Sequence, residues 1–498
     1  MDVLQSLSAG FGVAFLPINL LYCFVGVFIG NLIGVLPGVG PSATIALLIP
    51  LTLRESPVTA IIMLAGIYYG AQYGGTITSV LVNIPGEATS VVTCFDGHQM
   101  ARQGRAGAAL GIAAFGSFIA GTGSVVGLMC LAYPLSRIAL KFGPAEYFGI
   151  MCLGLTILSF LTRGSMIKAL MMAVLGLCLS YVGMDIFTGQ VRFDFGLIEL
   201  SGGIGLVPML MGLFGVSEVL LNFERPENRD LTQIKMGSLL PTREDWRISI
   251  NPIWRGSLIG FLLGIIPGAG HVLSPFVSYG IEKKLSPYPE KFGTGAIEGV
   301  AGPESANNAA AGGSFIPMFI LGVPPNVTIA ILLGALMIHG MQVGPTLLSE
   351  HPDLFWGTVA SMYIGNVMLL ILNLPMIGIW VKILEVPGAI LFPLILMFSL
   401  IGSFAMNNNI FDVYVMLVFG VFGYLARKYG FEVGPLVLAF VLGDMMEQAL
   451  RQSLIGSDGS FLVFFTRPIS CAALVLAALL LASNFMPAWR NRKGALVT

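Results

Sequence analysis

The chain has 498 residues, 56% of them hydrophobic and only 10% charged, with a formal net charge of −1. Soluble domains carry about 25% charged residues, so this composition excludes an ordinary soluble globular protein. The absence of any basic tract excludes nucleic acid as a partner. Sixty-three glycines and 24 methionines suit close helix packing in lipid, and the expected class is an all-α polytopic membrane protein in a lipid bilayer.

In chain order, the opening "MDVLQSLSAGFGVAF" lacks the basic n-region of a secretory signal, so no cleavage is expected. Apolar runs near the roughly 20 residues needed to span lie near 15–37, 57–82, 107–134, 143–162, 166–186 and 202–222. Polarity then rises: residues 222–252 hold ten charged side chains and no spanning run. Apolar segments resume near 254–280, 305–322, 325–345, 355–381, 386–405, 410–427, 433–449 and 469–487. The expected organisation is a first membrane repeat (1–222), a cytoplasmic linker loop (223–252), a second membrane repeat (253–450) and a C-terminal transmembrane helix with a cytoplasmic tail (451–498). The six cysteines sit in or beside apolar runs without a CxxC pair, as small buried hydrophobes do.

The halves echo one another. Gly26, Gly30, Gly34, Pro37, Gly38 and Gly40 stand 230 positions before Gly256, Gly260, Gly264, Pro267, Gly268 and Gly270. "YGGTITSVLVNIPGEATSVV" (73–92) is echoed by "AGGSFIPMFILGVPPNVTIAI" (311–331), and 205–220 by 433–450. Three echoes in one order indicate an internal duplication. Basic residues are absent before Arg54 and abundant over 225–247 and 490–493, which places the N-terminus outside and the central loop and tail in the cytoplasm. The first half then crosses an odd number of times and its twin is inverted. Six apolar runs are an even number, so one is re-entrant or a crossing is hidden.

Inverted repeats with interrupted helices are the pattern of secondary transporters, whose sites lie where half-helix ends meet at the midplane. Breaks at Pro37-Gly38 and Pro267-Gly268 expose helix N-termini that attract anions, and carbonyls that hold cations. The glycine ladders themselves read as packing surfaces. Beside the breaks, Gly38, Gly40, Ser42, Gly268 and Gly270 are candidate substrate contacts, although Ser42, Thr44, Ser274 and Ser278 have the plainer option of bonding their own backbone. A second pair of bends, "NIPGEATS" (83–90) and "GVPPNVT" (322–328), adds Asn83, Thr89, Ser90, Asn326 and Thr328; ordinary polar turns at the membrane surface are the alternative. In "EGVAGPESANNAAAGGS" (298–314), capping does not account for Asn307 and Asn308. Their amides can bind a carboxylate or offer oxygen to Na⁺, and Glu304, with Asn83, is the candidate for ion coupling. His98, His339, Asp185, Glu199, Asp444 and Glu447 need no special role.

At these residues the sequence resembles the large membrane subunit of tripartite tricarboxylate transporters, the TctA type. The resemblance rests on "GVLPGVGPSATIALLIPLT", "YYGAQYGGTITSVLVNIPGEATSVV" and "GVAGPESANNAAAGGSFIPMFILGVPPNVTIAILLGALMIHG", and extends over essentially the whole chain. It implies a multi-pass protein of the bacterial inner membrane that imports organic carboxylates of tricarboxylate or dicarboxylate type. The implied coupling ion is Na⁺ or H⁺, with no other cofactor and no metal. The implied partners are a small membrane subunit and a periplasmic substrate-binding protein, and an elevator-like movement follows by analogy. An enzyme is not expected: G-x-S-x-G and G-x-G-D motifs and a P-loop are missing. A passive carboxylate channel is the main alternative, an intramembrane enzyme the lesser one.

Overall fold

The computed structural model describes residues 3–36, 40–161, 165–185, 187–224, 237–266, 270–383 and 388–483. The breaks at Pro37-Gly38 and Pro267-Gly268 lie outside these, as does most of the charged centre of the linker. In the first half the helices are α1 (Val3–Ala14), α2 (Pro17–Val35), α3 (Pro41–Thr52), α4 (Pro57–Val82), α5 (Val91–Arg102), α6 (Ala106–Ala139), α7 (Pro144–Leu161), α8 (Met166–Ser180), α9 (Leu206–Leu210) and α10 (Ser217–Glu224). A π-helical turn over Met211–Val216 joins the last two. A two-stranded hairpin, β1 (Gly183–Met184) and β2 (Val191–Arg192), interrupts the helical series after α8.

The second half comprises α11 (Arg243–Ile265), α12 (Gly270–Leu285), α13 (Glu298–Gly313), α14 (Val327–Ile338), α15 (Leu347–Glu350), α16 (Pro352–Asn373), α17 (Ile377–Ile383), α18 (Gly388–Asn407), α19 (Ile410–Lys428), α20 (Gly434–Ile455), α21 (Val463–Thr466) and α22 (Pro468–Ser483). Among the described residues, six helical stretches have the length and apolarity to cross a membrane, and the protein is an all-α, multi-pass membrane protein. Residues 243–252, read as linker from their charge, already form the start of α11. Thr242 caps it, accepting from the Asp245 N–H while the Asp245 carboxylate accepts from the Thr242 N–H.

Two ends of the bundle can be followed by side-chain contacts. Tyr22, early in α2, donates to Glu55 just past α3 (2.9 Å). The apolar run at 15–37 is therefore one arm of a hairpin whose other arm, α3, returns to the same near end. Arg105 before α6 pairs with Asp245 in α11 (2.6 Å), marking the far end. There α11 and α12 form a second hairpin, tied by the Arg255–Glu282 ion pair. From the near end the chain then runs through α4–α5, α6, α7, α8 and α9–α10, and α10 ends where Glu224 meets Lys428 (2.8 Å).

The glycine ladders are the contact surfaces of these hairpins. A methyl group on Gly26, Gly30 or Gly34 would collide with the carbonyl oxygens of Met63, Ile67 and Ala71 on α4. On Gly256, Gly260 or Gly264 it would collide with those of Gly302, Ala306 and Ala310 on α13. Without side chains between them the backbones pack by direct van der Waals contact, which replaces the hydrophobic drive that lipid removes.

Both long helices beside the hairpins break. Asn83 caps α4 in the left-handed conformation (φ 58°), and Gly322 does the same after the π-helical turn Pro317–Leu321 (φ 67°). Pro85 and Pro324 follow, and each lacks the N–H that would extend the helical hydrogen bonding. After the first break the chain doubles back along α4. Gly86 lies so close to Gly75 and the Gly34 carbonyl that any Cβ there would clash. The chain then resumes in extended conformation at Glu87 and Asn326, and α5 and α14 start from these points.

Candidate functional site

Four helix N-termini, those of α3, α5, α12 and α14, meet beside the middle of α4 and α13. Ser42 in the first turn of α3 bonds Thr328 in the first turn of α14 (2.8 Å). His271, in the first turn of α12, bonds the Tyr68 hydroxyl of α4 through Nδ1 (3.1 Å). Asn326 caps α14, accepting from the Ile329 N–H (2.9 Å) while its amide donates to Tyr68 (3.1 Å). One turn along α4, Gln72 accepts from Thr89 just ahead of α5 (3.0 Å). One turn further, Thr76 donates to Glu304 of α13 (2.6 Å), whose other oxygen accepts from Thr93 of α5. Tyr68, Gln72 and Thr76 form one polar stripe along α4.

Each N-terminus carries unpaired N–H groups and roughly half a positive charge. Four of them around one centre favour a ligand with several negative charges. Side chains at the centre are only loosely paired. Asn307 is 1% exposed and lies against Glu304 and His271, with neither atom of its amide in a well-aligned hydrogen bond. His271 Nε2 and Glu87 Oε1 are likewise buried without a well-aligned partner. A buried amide normally finds partners, and one that does not is suited to a visiting ligand.

The sequence-derived candidates separate on this geometry. Ser42, Thr89, Asn307, Asn326 and Thr328 come together, and Glu304 lies beside them. Gly40 is the N-cap of α3, and Gly270 opens α12 against the Leu263 carbonyl. Gly38 and Gly268 lie outside the described residues. Ser90 closes a cap instead: its hydroxyl donates to the Glu87 carbonyl and accepts the Glu87 N–H. Asn308 turns toward α6, where its amide donates to Ser117 (2.7 Å) and to the Glu304 carbonyl oxygen (3.1 Å). Asn83 is exposed and lines an open cavity of about 490 Å³ with Cys94, Gln99, Tyr279 and Lys283, apart from Glu304.

Tyr68, Gln72, Thr76, Thr93 and His271 were not among the expected contacts. The spacing of Tyr68, Gln72 and Thr76 by four residues was a readable signal. That of Thr93 and His271 was not, because their role depends on where α5 and α12 dock. Asp96 fixes that docking. Its buried carboxylate accepts from the Gly293, Gly295 and Ala296 N–H groups (2.8–2.9 Å) and from the Tyr279 hydroxyl (2.9 Å), clasping the α12–α13 connection to α5.

No solved structure matches the chain. An uncharacterized 52.8 kDa protein of the TAR-I ttuC' 3'region from Agrobacterium vitis is 50% identical over 493 residues, covering 99% of this chain and 98% of the relative. An uncharacterized protein of the TAR-II ttuC' 3'region, from the same organism, is 50% identical over 234 residues, covering 47% of this chain and 97% of its own length. The model of the Tripartite tricarboxylate transporter TctA family matches residues 20–438. That span takes in both hairpins, both broken helices and the centre where they meet, and the chain belongs to the Tripartite tricarboxylate transporter TctA family.

Proposed function

We propose that this chain is the translocating subunit of an ion-driven importer of organic carboxylates of the di- or tricarboxylate type. The observation that carries the reading is Asn307, a buried amide set against Glu304 and His271 without a well-aligned hydrogen bond, at the meeting point of four helix N-termini. Amide nitrogen and helix N–H groups donate to carboxylate oxygens, and charge-assisted bonds of this kind are the stronger ones. Glu304, with the hydroxyls of Thr76 and Thr93, offers oxygen ligands for Na⁺ or a seat for H⁺. The two halves act as inverted repeats in this reading. It is supported by hairpins that start from opposite ends, by glycine ladders 230 positions apart and by paired breaks at Asn83 and Gly322. The near end then faces outward and the far end the cytoplasm of a bacterial inner membrane. A small membrane subunit and a periplasmic binding protein complete the assembly.

Uptake into liposomes holding the assembled subunits tests the reading, with citrate and four-carbon dicarboxylates offered in the presence and absence of a Na⁺ or H⁺ gradient. Saturable uptake that follows one of the gradients is expected. Non-saturable flux indifferent to both gradients marks a channel and overturns the proposal.

A further inference from the structure

The segment between α8 and α9 is irregular, apolar and exposed. Over residues 187–198 the side chains of Phe193, Phe195 and Ile198 face outward, with Phe195 and Ile198 each 81% exposed. Phe193 and Phe195 both hold positive φ (55° and 50°), a costly conformation for bulky residues. The base of the segment is clamped. Asp185 pairs with Arg451 of α20 (2.9 Å), and Arg192 pairs with Glu447 (2.8 Å). Beside it opens a cavity of about 530 Å³, lined among others by Phe187, Asp444 and the end of α14 at Met337 and Ile338. Because His339 follows at once and bonds Thr52 (3.2 Å), this is the near end of the bundle.

We propose that the 187–198 segment and this cavity are the docking surface for a soluble extracytoplasmic protein, the substrate-delivering subunit, that presents an apolar groove rimmed by Lys and Arg. The inference rests on the near end facing outward, as the proposed function has it. Hydrocarbon is excluded as the covering medium, since irregular backbone exposed to lipid leaves its N–H and C=O groups unpaired. Charge argues against the anionic headgroup surface. Surface-seeking segments carry Lys and Arg, whereas Arg192 is spent on Glu447, and the charges left on the loop are Asp194 and Glu199, with Asp444 at the cavity. An exposed aromatic knob beside a hole, with an acidic rim, has the anatomy of a protein interface, where aromatic anchors carry most of the affinity. The salt-bridged base holds the knob in place before binding, which lowers the entropy cost of docking.

The test uses the full chain with its small membrane subunit in phosphatidylcholine nanodiscs, and the purified soluble binding subunit of the same transporter as probe. Phe193→Ser combined with Phe195→Ser is expected to weaken its binding about 10- to 100-fold. Glu199→Lys, at an exposed position that folding does not use, is expected to slow association and flatten its salt dependence. Citrate or dicarboxylate binding to the chain itself, read by thermal stabilisation, stays as in wild type. Loss of that carboxylate binding in the wild-type chain would tell against the proposed transport site and not against docking, which is measured separately. Docking is overturned if the soluble subunit binds both variants like wild type, if the small membrane subunit dissociates from them instead, or if brominated lipid quenches a probe at Phe195 without the soluble subunit.

Discussion

The neighbouring asparagines of α13 allow a discriminating experiment, because the structure gives them opposite surroundings. Asn307→Ala removes an amide that lies against Glu304 and His271 without a well-aligned hydrogen bond. A poorly aligned bond falls short of the roughly 1 kcal/mol of a good one, so the variant should stay close to wild type in stability. If a carboxylate is the missing partner, the loss of a bond to a charged group weakens binding by about 1.5–3 kcal/mol, or about 10- to 150-fold. Asn308→Ala should do the reverse. It removes the donor to Ser117 and to the Glu304 carbonyl, at about 1 kcal/mol per bond, and should lower stability while leaving affinity within a few-fold. Thermal unfolding of purified protein across a series of citrate or dicarboxylate concentrations reads both quantities, since a ligand that binds only the folded state raises stability in proportion to the logarithm of its concentration. Wild-type affinity in Asn307→Ala, or equal losses of affinity in the two variants, would refute the assignment of the site.

Three further outcomes are expected. Gly30→Leu should cost about 3 kcal/mol or more, because the side chain meets the backbone of Ile67, which cannot step aside as a flexible side chain would; folded yield should drop before substrate affinity changes. Single cysteines at Arg54 and Ser238, in a cysteine-free background, should label from opposite faces of the membrane, and labelling from one face would contradict the opposed hairpins. Burial raises the affinity of Asp185 for protons, but the Phe187 N–H, the Arg451 guanidinium and the Thr188 N–H outweigh it and hold the carboxyl down at about 2. A depressed folded-state value stabilises above the ordinary carboxyl range and is lost as pH falls through that range toward 2; hydrogen exchange over 183–192 should speed up in that window, and in Asp185→Asn it should be fast already at neutral pH.

The sequence by itself determined the membrane class and the bends after α4 and α13, because these follow from local composition. Twenty apolar residues must hide their backbone polarity in a helix, and a left-handed residue ends one. The glycine ladders were legible for the same reason: spacing by four puts Gly26, Gly30 and Gly34 on one face whatever packs against it. Even Asn307 and Asn308 stood out as polar residues in an apolar run. Their spacing could not separate them, however, because adjacent helical residues point about 100° apart and only the packing partners decide which direction is the centre. Tertiary structure turned Asn308 to Ser117 on α6 and set Asn307 against Glu304 and His271. It also made the 15–37 run an arm of a hairpin, since whether a helix crosses or turns back depends on contacts such as Tyr22–Glu55, 33 residues apart. Thr76, Thr93 and Glu304 come from segments up to 228 residues apart, and no local pattern records such a meeting. The candidate site forms only where the two broken helices and the two hairpins pack together.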